Sequence, residues 1–137
     1  MSNERRFRSN NNLVFSCKYH LVFCPKYRRK VLVGDVESRL NALIIEHSEE
    51  MNVVLIEFEI MPDHVHVRCD VDPQFGIHKY AKRLKGATSR ILGDEFKHLT
   101  TKIPTLWTNS YFVCTTGGAP LEKIKAYIEN QKTSQRK

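Results

Sequence analysis

The order in which extended and helical segments alternate constrains this chain more than any other feature. Residues 13–25 alternate in character, with Leu13, Phe15, Cys17 and Tyr19 set against Val14, Ser16, Lys18 and His20, and then become continuously apolar. That pattern predicts one long strand, partly exposed at its start. Lys26-Tyr27-Arg28-Arg29-Lys30 follows as a basic loop. Gly34-Asp35 breaks the chain, and Asp35 is the expected N-cap of a helix through Glu50 that places Val36, Leu40, Leu43, Ile44 and His47 on one face. Residues 53–60 and 64–71 read as two strands separated only by Met61-Pro62-Asp63. Pro62 has no amide donor and suits a turn there. A helix is expected over 77–92, and residues 105–115 contain the next extended apolar segment, Tyr111-Phe112-Val113-Cys114. After Gly117-Gly118, Pro120 is the expected first residue of a last helix reaching about residue 132.

The resulting order is β-α-β-β-α-β-α. Its first six elements fit an α+β, ferredoxin-like (RRM-like) fold, an antiparallel sheet with helices on one face. The seventh is an added C-terminal helix. One domain over residues 1–137 is expected, because no internal repeat, low-complexity tract or linker interrupts the chain.

Composition narrows the class. The chain is 41% hydrophobic and 27% charged, ordinary values for a soluble globular protein. No apolar run nears the roughly 20 residues that span a bilayer, and the basic N-terminus has no apolar segment behind it, so neither membrane insertion nor a signal peptide is expected. Cys17, Cys24, Cys69 and Cys114 lack any C-x-x-C spacing, which predicts reduced thiols, no cysteine zinc site and a cytoplasmic location. The net charge of +7 calls for an acidic partner, of which nucleic acid is the commonest.

His64-Val65-His66 carries the chemistry. On a strand the two imidazoles point to one side while Val65 points to the other, so both rings can converge on one cation. Two histidines on a solvated strand face are the plainer reading, and a metal would need a further donor. His20, His47, His78 and His98 have no comparable local geometry and read as packing or surface residues. On the last helix, Leu121, Ile124 and Ile128 form an apolar stripe with Tyr127 and Gln131 stacked one turn apart on its flank. Such a tyrosine is usually an amphipathic edge residue. Joined to the histidine pair in a basic chain, it becomes a candidate nucleophile, with the glutamine as third ligand.

The chemistry explains the combination. A phenol titrates near 10 and attacks poorly at neutral pH unless its proton is drawn off or its target is polarised. A divalent cation can orient a phosphate and neutralise charge in the transition state. Tyrosine attack stores the bond energy in a covalent link, and no P-loop pattern for ATP is present.

Two segments are candidate DNA contacts. On the second helix, Ile77, Tyr80, Ala81, Leu84, Ala87, Ile91 and Leu92 share an arc of roughly 140°. Lys79, Lys82, Arg83, Lys85 and Arg90 fill the remainder, with no carboxylate between Pro73 and Gly93. Gly86 is expected to admit a close backbone approach. Lys26, Arg28, Arg29 and Lys30 form the second patch, with Tyr27 available for base stacking.

Taken together, these segments resemble the single-tyrosine HUH transposases of small insertion sequences that move as single-stranded DNA. The likeness runs through Tyr19-His20-Leu21-Val22-Phe23-Cys24-Pro25-Lys26-Tyr27-Arg28-Arg29-Lys30 and Met61-Pro62-Asp63-His64-Val65-His66. It continues in Leu84-Lys85-Gly86-Ala87-Thr88-Ser89-Arg90, Leu106-Trp107-Thr108-Asn109-Ser110-Tyr111 and Tyr127-Ile128-Glu129-Asn130-Gln131. The resemblance implies that His64, His66 and Gln131 ligate Mg²⁺ or Mn²⁺ and that Tyr127 forms a 5′-phosphotyrosine. It further implies a homodimer that binds imperfect DNA hairpins, in a bacterial or archaeal cell. The tyrosine helix would serve its own site or its partner's, with Gly117-Gly118 as the hinge.

Three rival readings compete with this one, of which an inactive, domesticated descendant is opposed by the intact His64, His66, Tyr127 and Gln131 set. A replication-initiator or relaxase-like nickase would share the chemistry but usually carries further domains. A non-catalytic single-stranded nucleic-acid-binding module would share the sheet, but the chain lacks an RNP1-like aromatic pattern.

Overall fold

The turn at Pro62-Asp63 organises the sheet. In the computed structural model, which describes residues 7–101, 103–116 and 121–134, it joins β4 (Val54–Met61) to β5 (His64–Asp70) as an antiparallel hairpin. Its register sets Met61 opposite His64, Ile60 opposite Val65 and Glu59 opposite His66. Pro62 costs the ladder no donor in this turn, and its carbonyl accepts the Leu32 amide at 3.0 Å. β3 (Lys18–Phe23) pairs antiparallel with the other edge of β5, and β6 (Phe112–Thr115) pairs with β3. The sheet order is therefore β4-β5-β3-β6, the expected α+β arrangement.

Strand parity then divides the side chains. Leu21, Phe23, Val65, Val67 and Cys69 are fully buried against α1 (Gly34–Glu50) and α2 (Ile77–Glu95), which supply Leu40, Leu43, Ile44, Tyr80 and Leu84 to the same core. His20, Val22, His64, His66 and Arg68 point the other way. α3 (Leu121–Ser134) is the C-terminal helix, and it meets the short turn Lys26–Arg28.

Several local expectations need correction. The strand expected over 13–25 is broken at Ser16-Cys17. Its first part, β2 (Val14–Phe15), leaves the main sheet to pair with β1 (Arg8–Ser9), with Arg8 opposite Phe15. Alternation alone cannot reveal a change of partner. Asp35 is not an N-cap: α1 starts one residue earlier, after Val33, with no side-chain cap, and Asp35 lies in the first turn, where its charge suits the helix dipole. α2 runs past Gly93 to Glu95. The extended segment expected at 111–114 is β6 within one residue, and upstream of it Pro25 and Trp107 form a single antiparallel bridge. Gly86 is approached by no other part of the described protein, since a Cβ added there would find no atom within 4 Å, and the space beside it is open. Gly117-Gly118 and Pro120 lie outside the described residues. All four cysteines are free thiols, and burial pushes those of Cys24 and Cys69 up to about 12. Among the described residues, no helix is long and apolar enough to cross a membrane.

Candidate active site on the open face of the sheet

His64 and His66 project together from β5, both half-buried, with Val65 fully buried between and behind them. Asp63 fixes the first ring. Its Oδ1 accepts a hydrogen bond from His64 Nδ1 at 2.8 Å, which leaves the Nε2 lone pair for an electrophile. Burial pushes the Asp63 carboxyl up. Hydrogen bonds from His64 and Arg28, with the guanidinium charge, outweigh burial and hold the carboxyl below its usual range.

The second ring has a neighbour that no sequence pattern marks. His66 Nε2 lies 3.0 Å from His20 Nδ1, and the ring centroids are 5.2 Å apart. His20 sits on β3 opposite Arg68, diagonal to His66, so only the strand register brings the two together. Burial lowers the pKa of His66, and the charges of His20 and His64 lower it further. Burial and Arg68 lower that of His20. Neutral rings therefore prevail at neutral pH, as metal ligation requires.

The tyrosine helix lies over the same face. The Tyr127 ring packs against Phe112 at 5.5 Å between centroids. Phe112 stands opposite Val22, and Val22 opposite His66, so the three form one row across the sheet. Two strand spacings put Phe112 about 10 Å from His66 along that row. Tyr127 Oη lies 3.3 Å from Ser110 Oγ. Burial raises the phenol's pKa, against the Ser110 hydrogen bond, so the hydroxyl is protonated at neutral pH. Gln131, expected on the flank of the apolar stripe, is among the most buried residues of α3 at 6% exposure. Its Nε2 donates to the Tyr127 carbonyl at 3.4 Å.

Two imidazoles and an amide oxygen are donor types that a divalent cation can take. Among the described residues no three His, Cys, Asp or Glu side chains cluster to hold a metal.

The candidate DNA contacts divide sharply. Lys79, Lys82, Arg83 and Arg90 are exposed on α2, on the opposite side of the sheet from the histidines. Lys79 and Arg83 flank the Phe75 ring at 4.8 and 5.6 Å. Lys85 turns inward, donating to the carbonyls of Thr108, Asn109 and Ser110 at 2.7, 3.3 and 3.0 Å. Burial pulls its ammonium down to about 8, while those carbonyls favour the charged form. Arg29 donates to the carbonyls of Lys26, Leu99 and Thr105. Arg28 is committed to Asp63 and to α3. Lys26 is half-buried and Lys30 exposed. A cavity of about 360 Å³, lined by His78, Lys82, Gly86, Trp107, Asn109 and Tyr111, opens between α2 and the loop that carries Ser110.

Comparison with known proteins agrees with this geometry. The ISDra2 transposase TnpA of Deinococcus radiodurans is 34% identical over 126 residues, covering 90% of each chain. The transposase for insertion sequence element IS200 of Salmonella typhimurium is 33% identical over 119 residues, covering 85% of this chain and 78% of its own. A crystallographically solved Deinococcus radiodurans protein superposes with a TM-score of 0.82 at 33% identity, over 90% of this chain and 97% of that one. A REP-associated tyrosine transposase, solved bound to a REP hairpin, shares the fold at a TM-score of 0.58 and 13% identity, over 98% of this chain and 76% of its own. Residues 13–131 match the family described as transposase IS200 like. With the histidine strand and the tyrosine helix on one face of its sheet, the chain belongs to the IS200-like transposase family.

Proposed function

We propose that the protein cleaves and rejoins single-stranded DNA at the ends of an insertion sequence, with Tyr127 as nucleophile. The observation that supports this reading is the shared face: His64 and His66 project from β5, and Tyr127 packs on Phe112, which lies in the same cross-strand row as His66. Mg²⁺ or Mn²⁺ held by His64, His66 and Gln131 would neutralise the non-bridging phosphate oxygens as charge develops.

Tyr127 Oη attacks the phosphorus, and the bond from phosphorus to the 3′ oxygen breaks. The phenolic proton passes to solvent, and the departing 3′ oxygen takes one up. The products are a 5′-phosphotyrosine and a free 3′ hydroxyl. Attack by a 3′ hydroxyl on the phosphotyrosine reverses these steps and joins strands without ATP. The Tyr127 ring is held by Phe112 and its hydroxyl by Ser110, which limits the entropy lost on reaching the phosphate. A structural neighbour solved with a REP hairpin supports imperfect hairpins as the recognised DNA. A homodimer is the proposed working unit, with α3 serving either its own site or the partner's.

The test is incubation with end-labelled hairpin DNA in single- and double-stranded form, with Mg²⁺ or with chelator. We expect a denaturation-resistant adduct only with the single-stranded form and metal. Hairpin binding without any adduct, or equal cleavage of both forms, would overturn the reading.

A further inference from the structure

We infer that Arg28 is a positioning residue that couples the docking of the tyrosine helix to the orientation of His64. The inference rests on the proposed function for the meaning of that orientation, but its geometry is independent of it. Arg28 Nε meets Asp63 Oδ2 at 2.6 Å, and the other oxygen of that carboxylate holds His64 Nδ1 at 2.8 Å. Arg28 Nη1 reaches the opposite way, to the Ile128 carbonyl at 3.4 Å and to Glu129 Oε1 at 3.3 Å. One planar guanidinium thus joins the histidine hairpin to the turn of α3 that follows Tyr127.

The backbone is bent to make this possible. Tyr27 and Arg28 have φ of 61° and 53°, two consecutive non-glycine residues in the left-handed region. Such strain persists only where the surroundings over-determine it. Here the Arg28 amide donates to the Pro25 carbonyl at 2.7 Å and the Lys26 amide to the Leu106 carbonyl at 2.8 Å, while Arg29 ties the same turn to Leu99 and Thr105. The bend turns a basic side chain inward, leaving the Arg28 side chain only 11% exposed. Its contacts with α3 exist only while that helix is docked. Arg28 then braces the Asp63 carboxylate, and through it the His64 ring, when the nucleophile's helix is in place.

The experiment compares wild type with Arg28→Lys, which keeps the charge but loses the fork, and with Asp63→Asn. Hairpin affinity, Mn²⁺ affinity by electron paramagnetic resonance, the His64 ring tautomer by ¹⁵N NMR and single-turnover cleavage are read in parallel. For both variants we expect unchanged hairpin affinity, with Mn²⁺ affinity and cleavage reduced about 10-fold to 100-fold, as for outer partners of a metal ligand. The Nδ1–H tautomer of His64 should also lose its dominance. For Arg28→Ala, the dependence of hairpin affinity on salt should keep its slope, whereas loss of a phosphate contact lowers it by about 1. A lowered slope, or wild-type Mn²⁺ affinity and tautomer in both variants, overturns the inference. If wild type makes no adduct, the proposed function fails, yet the metal and tautomer measurements still decide the role of Arg28.

Discussion

The two halves of the site are held in opposite ways. β5 is hydrogen-bonded to a strand on each side, and Val65, Val67 and Cys69 anchor it with no exposed surface. α3 lies at the end of the described chain and rests on Phe112, Ser110 and the Arg28 turn, with Ile124 and Gln131 buried. The histidines are fixed by the sheet ladder. The tyrosine and its glutamine ride on a helix whose contacts include Phe112, Ser110 and Arg28. Under the proposed function, the strand would hold the metal ligands through repeated cycles while the helix would carry the nucleophile.

That contrast predicts unequal responses to mutation. Leu21→Ala, in the core behind the histidines, should cost about 2–5 kcal/mol of global stability in urea unfolding. Ile124→Ala should leave the global midpoint nearly unchanged while accelerating amide exchange along α3, the result expected of a helix that opens independently of the sheet. Equal global losses in the two variants would erase the distinction.

A smaller effect concerns the loop beneath the tyrosine. Lys85 spans from α2 to the carbonyls of 108–110, and Ser110 meets Tyr127. With its folded pKa lowered from 10.5 to about 8, the unfolded chain holds this proton more tightly. The Lys85 contribution to stability therefore rises as pH climbs from about 8 to 10.5. Urea midpoints of wild type should gain on those of Lys85→Met across that window. A constant difference would mean that the three carbonyls keep the ammonium fully charged.

The smallest expected change is Glu129→Gln. Its carboxylate pairs with Arg28 from a side chain that is 69% exposed, so the stability loss should stay within about 1 kcal/mol. A larger loss, measured by thermal unfolding, would make the α3 contact stronger than its exposure allows.

Much of this arrangement is legible in the chain, and the limits have physical causes. Parity alone puts His64 and His66 on one face, and helical spacing alone stacks Tyr127 with Gln131. The His20–His66 contact depends on pairing register, a long-range property that local alternation does not encode. The inward turn of Arg28 depends on left-handed backbone at Tyr27 and Arg28, where no glycine announces it. For that reason Arg28, Arg29 and Lys85 look from the sequence like free surface cations, and in the fold their protons are already shared with protein oxygens. The break at Ser16-Cys17 is silent because β2 keeps the same alternation while exchanging β5 for β1.

The most direct measurement is mass spectrometry of the covalent product. After reaction with single-stranded hairpin DNA and Mg²⁺, nuclease and trypsin digestion should leave a 5′-phosphonucleotide on the peptide spanning residues 126–132, on Tyr127. The same modification on Tyr19, Tyr27, Tyr80 or Tyr111, or an adduct that persists in Tyr127→Phe, would contradict the account.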